Sequence, residues 1–343
     1  MFDFFQSIFS GSDFTASTKY DADIIEKAIE RVVDGTDPRL RALSSYRKKL
    51  APAVETAIDF AVDLVDSLPP PVELSGAQFS EDDQVRGLFA SRQHLREVLG
   101  RSRVLREYLD RRKGAYSENI YALLGAERSE RSMLGMDLQG DMVRRDVMQQ
   151  VVSFSNRLFA CPGDSQAEAS LDAKRRAFDT LIEYALQQML SSRHKREETS
   201  RQYNILKSKL QAMEAAGLGI SALAAPDQSD KVDIGELQKQ IAQLETELDG
   251  ADVAAPTLDH YMDVIIASLS SPEQCLQMAP VSLKLDRMGM KLAEDAAGTA
   301  INLQLNELTL ANGRRVIVLP VWRPVAEMPE KRDFLQEAGR YLG

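Results

Sequence analysis

A chain of 343 residues, 27% charged and 44% hydrophobic, has the composition of ordinary globular domains and enough length for two or three of them, each with its own core. That balance excludes disordered and fibrous classes, and no run of about 18 apolar residues exists to cross a bilayer as a helix. A formal net charge of −10 disfavours nucleic acid, and two cysteines, Cys161 and Cys275, are too few for a disulfide framework or a four-cysteine zinc site, which points to a reducing, cytoplasmic setting.

The first residues, MFDFFQSIFSG, set Phe2, Phe5, Ile8 and Phe9 at helical spacing but carry Asp3 and no basic residue. They predict a short helix laid on a core or a subunit rather than a signal peptide or a lipid anchor. Ile24, Ile25, Ala28, Ile29 and Val32 then form a helical stripe that stops at Gly35 and Pro38, and Val54, Ile58, Ala61, Val62 and Val65 form a second that stops at three prolines. The following VELSGAQFSEDDQ predicts a linker, with Ser80 and Asp83 as the cap of a third helix.

Residues 91–114, SRQHLREVLGRSRVLREYLDRRKG, carry eight Lys/Arg against Glu97, Glu107 and Asp110, a net of +5 inside an acidic chain. Read as one helix, Leu95, Val98, Leu99, Leu105 and Leu109 make its apolar stripe, with Arg92, Arg96, Arg103 and Arg106 within about 80° on one flank and Arg101 and Arg112 on the other. Arginines so placed lay their stems on hydrophobic surface while their ends reach acidic groups. The favoured targets are acidic helices of the same chain, such as DADIIEKAIERVVD, ahead of an acidic protein partner or a phospholipid headgroup.

Helices are expected next over about 117–160 and 168–213. The first would use Met133, Met136, Met142 and Met148 as core filler, and Pro162 and Gly163 separate the two, with Asp164 or Ser165 capping the second. Thr199, Tyr203, Leu206, Leu210 and Met213, then Ile234, Leu237, Ile241, Leu244 and Leu248, repeat at heptad spacing on two arms. Gly217, Gly219 and Pro226 lie between them, so the expectation is an antiparallel coiled-coil hairpin whose second arm, about 17 residues, projects roughly 25 Å. SSRHKREETSR, residues 191–201, offers nothing apolar to bury and favours projection over packing on the body.

A helix over 257–270 leads into strand periodicity at Val281, Leu283 and Leu285, and Asn312-Gly313 predicts a two-residue type I′ turn. That turn would pair Leu310 with Arg315, Thr309 with Val316 and Leu308 with Ile317, in a small C-terminal antiparallel sheet of three or more strands.

Chemistry is sparse. His94, His194 and His260 fall in separate segments without a metal-binding spacing, and no phosphate-binding loop or nucleophile elbow is present. GLGISA, residues 217–222, fits Gly-x-Gly-x-x-Ala, but it sits between helical arms instead of after a strand and reads as a loop reversal. No residue is a candidate for catalysis, metal or cofactor. The expected architecture is mainly α, and α+β overall: a multi-helix body, a projecting antiparallel coiled-coil hairpin and a small C-terminal antiparallel β-sheet, divided as 1–72, 80–190, 191–250 and 257–343. The expected function is a non-enzymatic protein-interaction or adaptor role, with a protein partner or a second copy held by Arg92, Arg96, Arg103, Arg106, Tyr203, Leu206, Leu210, Leu237, Ile241 and Leu244. A peripheral membrane protein using the Phe-rich start and the arginines, and an enzyme with a site assembled from distant residues, are the alternatives.

Overall fold

A computed structural model describes residues 20, 22–75, 79, 82–112, 117–139, 142–217, 234–249, 258–286, 288–292 and 300–329. The Phe-rich start, Ser80, residues 218–222 of GLGISA and Pro226 lie outside them. The described residues form eight α-helices: α1 (Ala22–Gly35), α2 (Tyr46–Asp66), α3 (Asp83–Leu88), α4 (Arg92–Arg101), α5 (Arg103–Arg112), α6 (Gln166–Gly217), α7 (Ile234–Asp249) and α8 (Leu258–Ser270). They also form six strands: β1 (Val72–Glu73), β2 (Asn119–Gln139), β3 (Met142–Gly163), β4 (Leu276–Leu285), β5 (Ile301–Leu310) and β6 (Arg315–Pro324). The expectation of a mainly α chain with a small C-terminal sheet is therefore overturned: the fold is α+β, as expected overall, but its sheet has six strands and takes them from both before and after α6–α8.

Two compact units divide the chain. One takes in the described residues up to Ile24, Thr56–Leu181 and Ser271 onward; the other takes in Ile25–Glu55 and Ile182–Ser270.

The first unit is built on the sheet, in the order β3-β2-β6-β5-β4, antiparallel throughout, with β1 added in parallel to β6. β6 changes neighbour along its length: β5 accompanies it to Val318, and β1 takes over at Val321 and Trp322. Pro320, which has no N–H to donate, stands in the gap between the two. Beyond β4 the sheet curls round toward its own other edge. Leu285 bridges to Lys291 and Met290 bridges to Val151 of β3, and the Val152 amide donates to Gly289 O at 2.8 Å. Gly289 has φ +80°, and a Cβ there would lie 2.7 Å from Val152 O, so the closure needs a residue without a side chain.

Period-two burial fills the curl. Ile120, Ala122, Leu124 and Ala126 of β2, Leu303 and Leu305 of β5, and Ile317, Leu319 and Val321 of β6 face one core, which Val85, Leu88, Leu95, Leu99 and Leu105 of α3, α4 and α5 complete. Each Val, Leu and Ile among them contributes about 1.5–3 kcal/mol of transfer free energy. The same parity places two arginines at opposite ends of this core. Arg128 donates to both carboxylate oxygens of Glu307 at 2.9 Å, whereas Arg323 donates to Leu74 O and, at 2.8 Å, to Glu327 O.

Several local expectations change. Residues 117–160 are not a helix but the long hairpin β2–β3, because the alternation Ile120, Ala122, Leu124, Ala126 places one face on a core, a pattern that a helix would scatter around its circumference. The arginine segment is two helices broken at Ser102, whose backbone is extended and whose Oγ accepts from the Leu105 amide at 3.3 Å. Asp82 caps α3, its side chain accepting from the amides of Gln84 and Val85. The β5–β6 turn pairs Thr309 with Arg315 and Leu308 with Val316, one residue off the predicted register. Only Gly313 in that turn has positive φ, at +79°, so the connection is a three-residue turn with a left-handed glycine instead of the two-residue type I′ form.

In the second unit, Ile25, Ala28, Ile29, Val32 and Val33 of α1 are buried, as are Leu50, Ala53 and Val54 of α2, Ile182, Ala185 and Met189 of α6, and Met262, Ile265 and Leu269 of α8. The acidic face of α1 is matched locally: Arg41 pairs with Glu30 and Asp34, and Arg47 with Glu26 and Glu30. The hydroxyl of Tyr46 and these guanidiniums hold the Glu30 carboxyl below the usual range against the opposing effect of burial.

Candidate functional site

Two features of the first unit stand out beyond its core. The outer half of the β2–β3 hairpin is one. β2 pairs with β6 only as far as Glu127, opposite Val316, and from Arg128 to Gln139 its only strand neighbour among the described residues is β3. Arg128, Glu130, Ser132 and Leu134 continue the core-facing row of β2, opposite Phe154, Val152, Gln150 and Met148. Phe154 and Val152 are still buried, but Leu134 and its partner Met148 are 65% and 74% exposed, and Met133 on the reverse face is 52% exposed. A two-stranded ribbon gains little from its own backbone hydrogen bonds in water. Exposed methionine and leucine at its outer end form an adaptable apolar surface of the kind that marks interaction sites.

The second feature is a groove of about 220 Å³ among α5, the end of β3 and the first turns of α6. Val104 and Leu171 supply apolar surface; Arg111, Arg175 and Arg176 stand with Glu107, Glu168 and Asp172 around it. Ser165 and Glu168 begin α6 as a capping pair: the Glu168 amide donates to Ser165 Oγ at 3.2 Å, and the Asp164 amide donates to Glu168 Oε2 at 2.8 Å. The same carboxylates bind α5. Tyr108 donates its hydroxyl proton to Asp164 at 2.8 Å, and Arg112 pairs with both Asp164 and Glu168 while its guanidinium covers the Tyr108 ring at 5.2 Å. This network ties the arginine-rich helix to the helix that follows the hairpin.

Two titratable groups here are held in their neutral forms. Burial, then the hydrogen bond to Asp164, raises Tyr108 above the usual phenol range. Burial, reinforced by the negative charge of Asp172, pushes the Cys161 thiol up to about 12. Neither is a base or a nucleophile at neutral pH. Cys161 also sits at φ +53°, and Asn156 at +48°. Each falls where β3 carries one residue more than β2, in bulges that bend the strand.

The sequence candidates are distributed between the units. In the first, Arg92 and Arg96 are exposed on α4, and Arg103 is exposed on α5 and pairs with Glu107 one turn on. Arg106 donates to the carbonyls of Ser102 and Arg101. The break at Ser102 divides the expected continuous flank, so these four do not form one row. In the second unit, Tyr203, Leu206 and Leu210 are the half-buried positions of their stretch of α6, and Leu237, Ile241 and Leu244 are the covered positions of α7. Tyr203 donates to Glu245 at 2.7 Å, joining the two helices. Tyr108, Glu168 and the pair Arg128/Glu307 were not singled out from the sequence, while Arg112 was named as a flank residue of the arginine segment and Asp164 as a helix cap; of the first group only Glu168 carried a local signal, three residues after Ser165.

Among the described residues, no helix is long and apolar enough to cross a membrane, and no three His, Cys, Asp or Glu side chains gather as a metal-binding group. Comparison of the chain with protein-family models, with curated proteins and with solved structures finds no match.

Proposed function

We propose that this chain is a non-enzymatic, cytoplasmic protein-interaction module, an adaptor that holds a protein partner on the outer half of the β2–β3 ribbon. The observation that carries this reading is the exposed cross-strand pair Leu134/Met148, with Met133 behind it, on a face whose inner part is core. Methionine and leucine there can repack against a partner with little loss of specificity elsewhere. The heptad arms of α6 and α7, read as a coiled-coil hairpin, provide a second attachment: their seam residues face each other and leave charged outer faces to a partner.

Affinity capture compares the intact protein with a Leu134→Asp, Met148→Asp double variant and with a chain in which Thr199–Asp249 is replaced by a Gly/Ser linker, read by mass spectrometry. The ribbon variant should melt as the parent does and lose the principal partner; the linker chain should lose only secondary contacts. Retention of every partner by the ribbon variant would overturn the assignment.

A further inference from the structure

We infer that Arg157 of β3 and His94 of α4, which both lie against the Phe89 ring, form a binding site for a phosphate group, free or carried by a small phosphorylated molecule. This goes beyond the adaptor reading, which rests on the outer half of the ribbon.

The first support is a guanidinium without a counter-charge. β3 sets Asn156 and Arg157 opposite the single residue Ala126, and the extra residue shifts the parity of the strand, so that Arg157 falls on the face that buries Phe154 and Phe159. There its Nε donates to Leu88 O at the end of α3, and its Cζ lies 5.7 Å from the centre of the Phe89 ring. Arg112, Arg128 and Arg175, also half-buried, each meet a carboxylate: Asp164 and Glu168, Glu307, and Asp172. Arg157 meets none among the described residues, and burial lowers it from the usual guanidinium value with no acidic group opposing the change. A cation drawn partly out of water, with one carbonyl and a ring face for company, leaves its two terminal nitrogens to an anion from outside.

The second support is the imidazole beside it. His94 packs edge-on against the same Phe89 ring, the centroids 6.0 Å apart. The Ala90 amide donates to its Nδ1 at 3.3 Å, so the neutral ring carries its proton on Nε2, a donor without a partner among the described residues. Burial, then the charge of Arg157 and more weakly that of Arg101, hold His94 below its usual range, with Glu97 opposing them. An arriving anion reverses that balance and draws a proton onto the ring. Arg157, Arg101 and the protonated His94 then exceed Glu97 by two charges. A phosphate monoester carries about −1.5 to −2 at pH 7 and three acceptor oxygens, which balances the excess and engages both the guanidinium fork and the imidazole; a single carboxylate would balance half of it.

The test is carbon-13 NMR of the full chain labelled at histidine Cε1, with the His94 signal assigned by its loss in His94→Asn. Sulfate, a dianion throughout the range used, and inorganic phosphate should shift that signal to saturation and raise the His94 pKa, while acetate at equal ionic strength should do neither. Because binding takes up a proton, sulfate should bind about tenfold more tightly at pH 5.5 than at pH 7.5. Arg157→Lys, which keeps the charge and loses the fork, should weaken sulfate about tenfold. Arg157→Gln should raise the His94 pKa of the free protein and abolish its response. O-phosphoserine binding as tightly as phosphate assigns the site to a monoester, and weaker binding assigns it to the free ion. A shift that follows ionic strength whatever the anion, or one that persists unchanged in the Arg157 variants, would overturn the proposal. The comparison of sulfate with acetate is made on the parent protein and decides the matter even where a variant fails to fold.

Discussion

The two halves of one hairpin behave differently. Leu124 and Leu134 lie on the same strand and the same face, yet Leu124 is 1% exposed and Leu134 is 65% exposed. The backbone pairing is the same in both places; what changes is the neighbour. Toward Asn119, β2 has β6 on its second edge and the core below, whereas beyond Glu127 its only strand neighbour among the described residues is β3. Between the two stands the Arg128/Glu307 pair, both side chains about nine-tenths covered, which ends the apolar interior with a bidentate ion pair. Strand formation and burial are thus separable: inter-strand hydrogen bonds extend the ribbon, but only layered packing makes its residues contribute to stability.

The largest expected effect makes that contrast quantitative. Leu124→Ala should cost about 3 kcal/mol, the scale for emptying a buried leucine site, whereas Leu134→Ala should change stability by less than about 0.5 kcal/mol. Denaturant unfolding of the two variants measures both. A comparable loss from Leu134→Ala would mean that its face is covered in the folded protein and would undermine the ribbon as a docking surface.

A smaller effect tests how the sheet is closed. Gly289→Ala places a Cβ against Val152 O at a left-handed φ and should cost about 2 kcal/mol, within the range for strained backbone positions. Gly313→Val carries the same φ penalty without a clash, since nothing lies within 4 Å of a Cβ there; about 1 kcal/mol is expected. Hydrogen exchange distinguishes the mechanisms: Gly289→Ala should expose the Val152 amide, and Gly313→Val should expose the Gly313 and Leu310 amides of the turn. A Gly289→Ala protein as protected and as stable as the parent would show that the Asp286–Leu292 segment does not close the sheet.

Helices with complete stripes were legible from the sequence. α1 and α2 show their buried Ile and Val at helical spacing, and the stripe Leu95, Leu99, Leu105 is the one that reaches the core. The hairpin was hidden because Met133, Met136 and Met148 fall within about 120° on one helical face, while its strand signal, Ile120, Ala122, Leu124 and Ala126, depends on alanines that contribute little hydrophobic contrast. Gly140-Asp141, a dipeptide that favours hairpins, was the overlooked cue; Gln139 pairs with Met142 on either side of it. Asn312-Gly313 located a turn but not its register, because the choice between a two-residue and a three-residue connection rests on whether Asn312 also takes positive φ. The groove was still harder to read. Tyr108 meets Asp164 and Glu168 across 56 and 60 residues of chain, and no local spacing encodes that meeting.

The smallest expected effect concerns Cys161, at the inner end of the hairpin where the ribbon joins the core. Burial, with Asp172 adding to it, raises the thiol from an ordinary value of 9.0 to about 12. The folded state therefore keeps a proton that the unfolded chain releases earlier. Stability from this source is fully present below pH 9 and is lost as the pH climbs through the interval up to about 12. At pH 9 half of the unfolded thiols are ionised, and the loss is only about 0.4 kcal/mol. Denaturant unfolding from pH 7 to 9 should consequently show a shallower decline in Cys161→Ala than in the parent, whatever the substitution does to stability at neutral pH. Thiol labelling gives an independent reading, since in the native protein at pH 8 Cys161 should react only through opening of the fold, at a rate that rises with denaturant. Rapid labelling under native conditions would show instead that the bulge leaves the sulfur accessible, and that the inner end of the hairpin is as uncovered as its outer end.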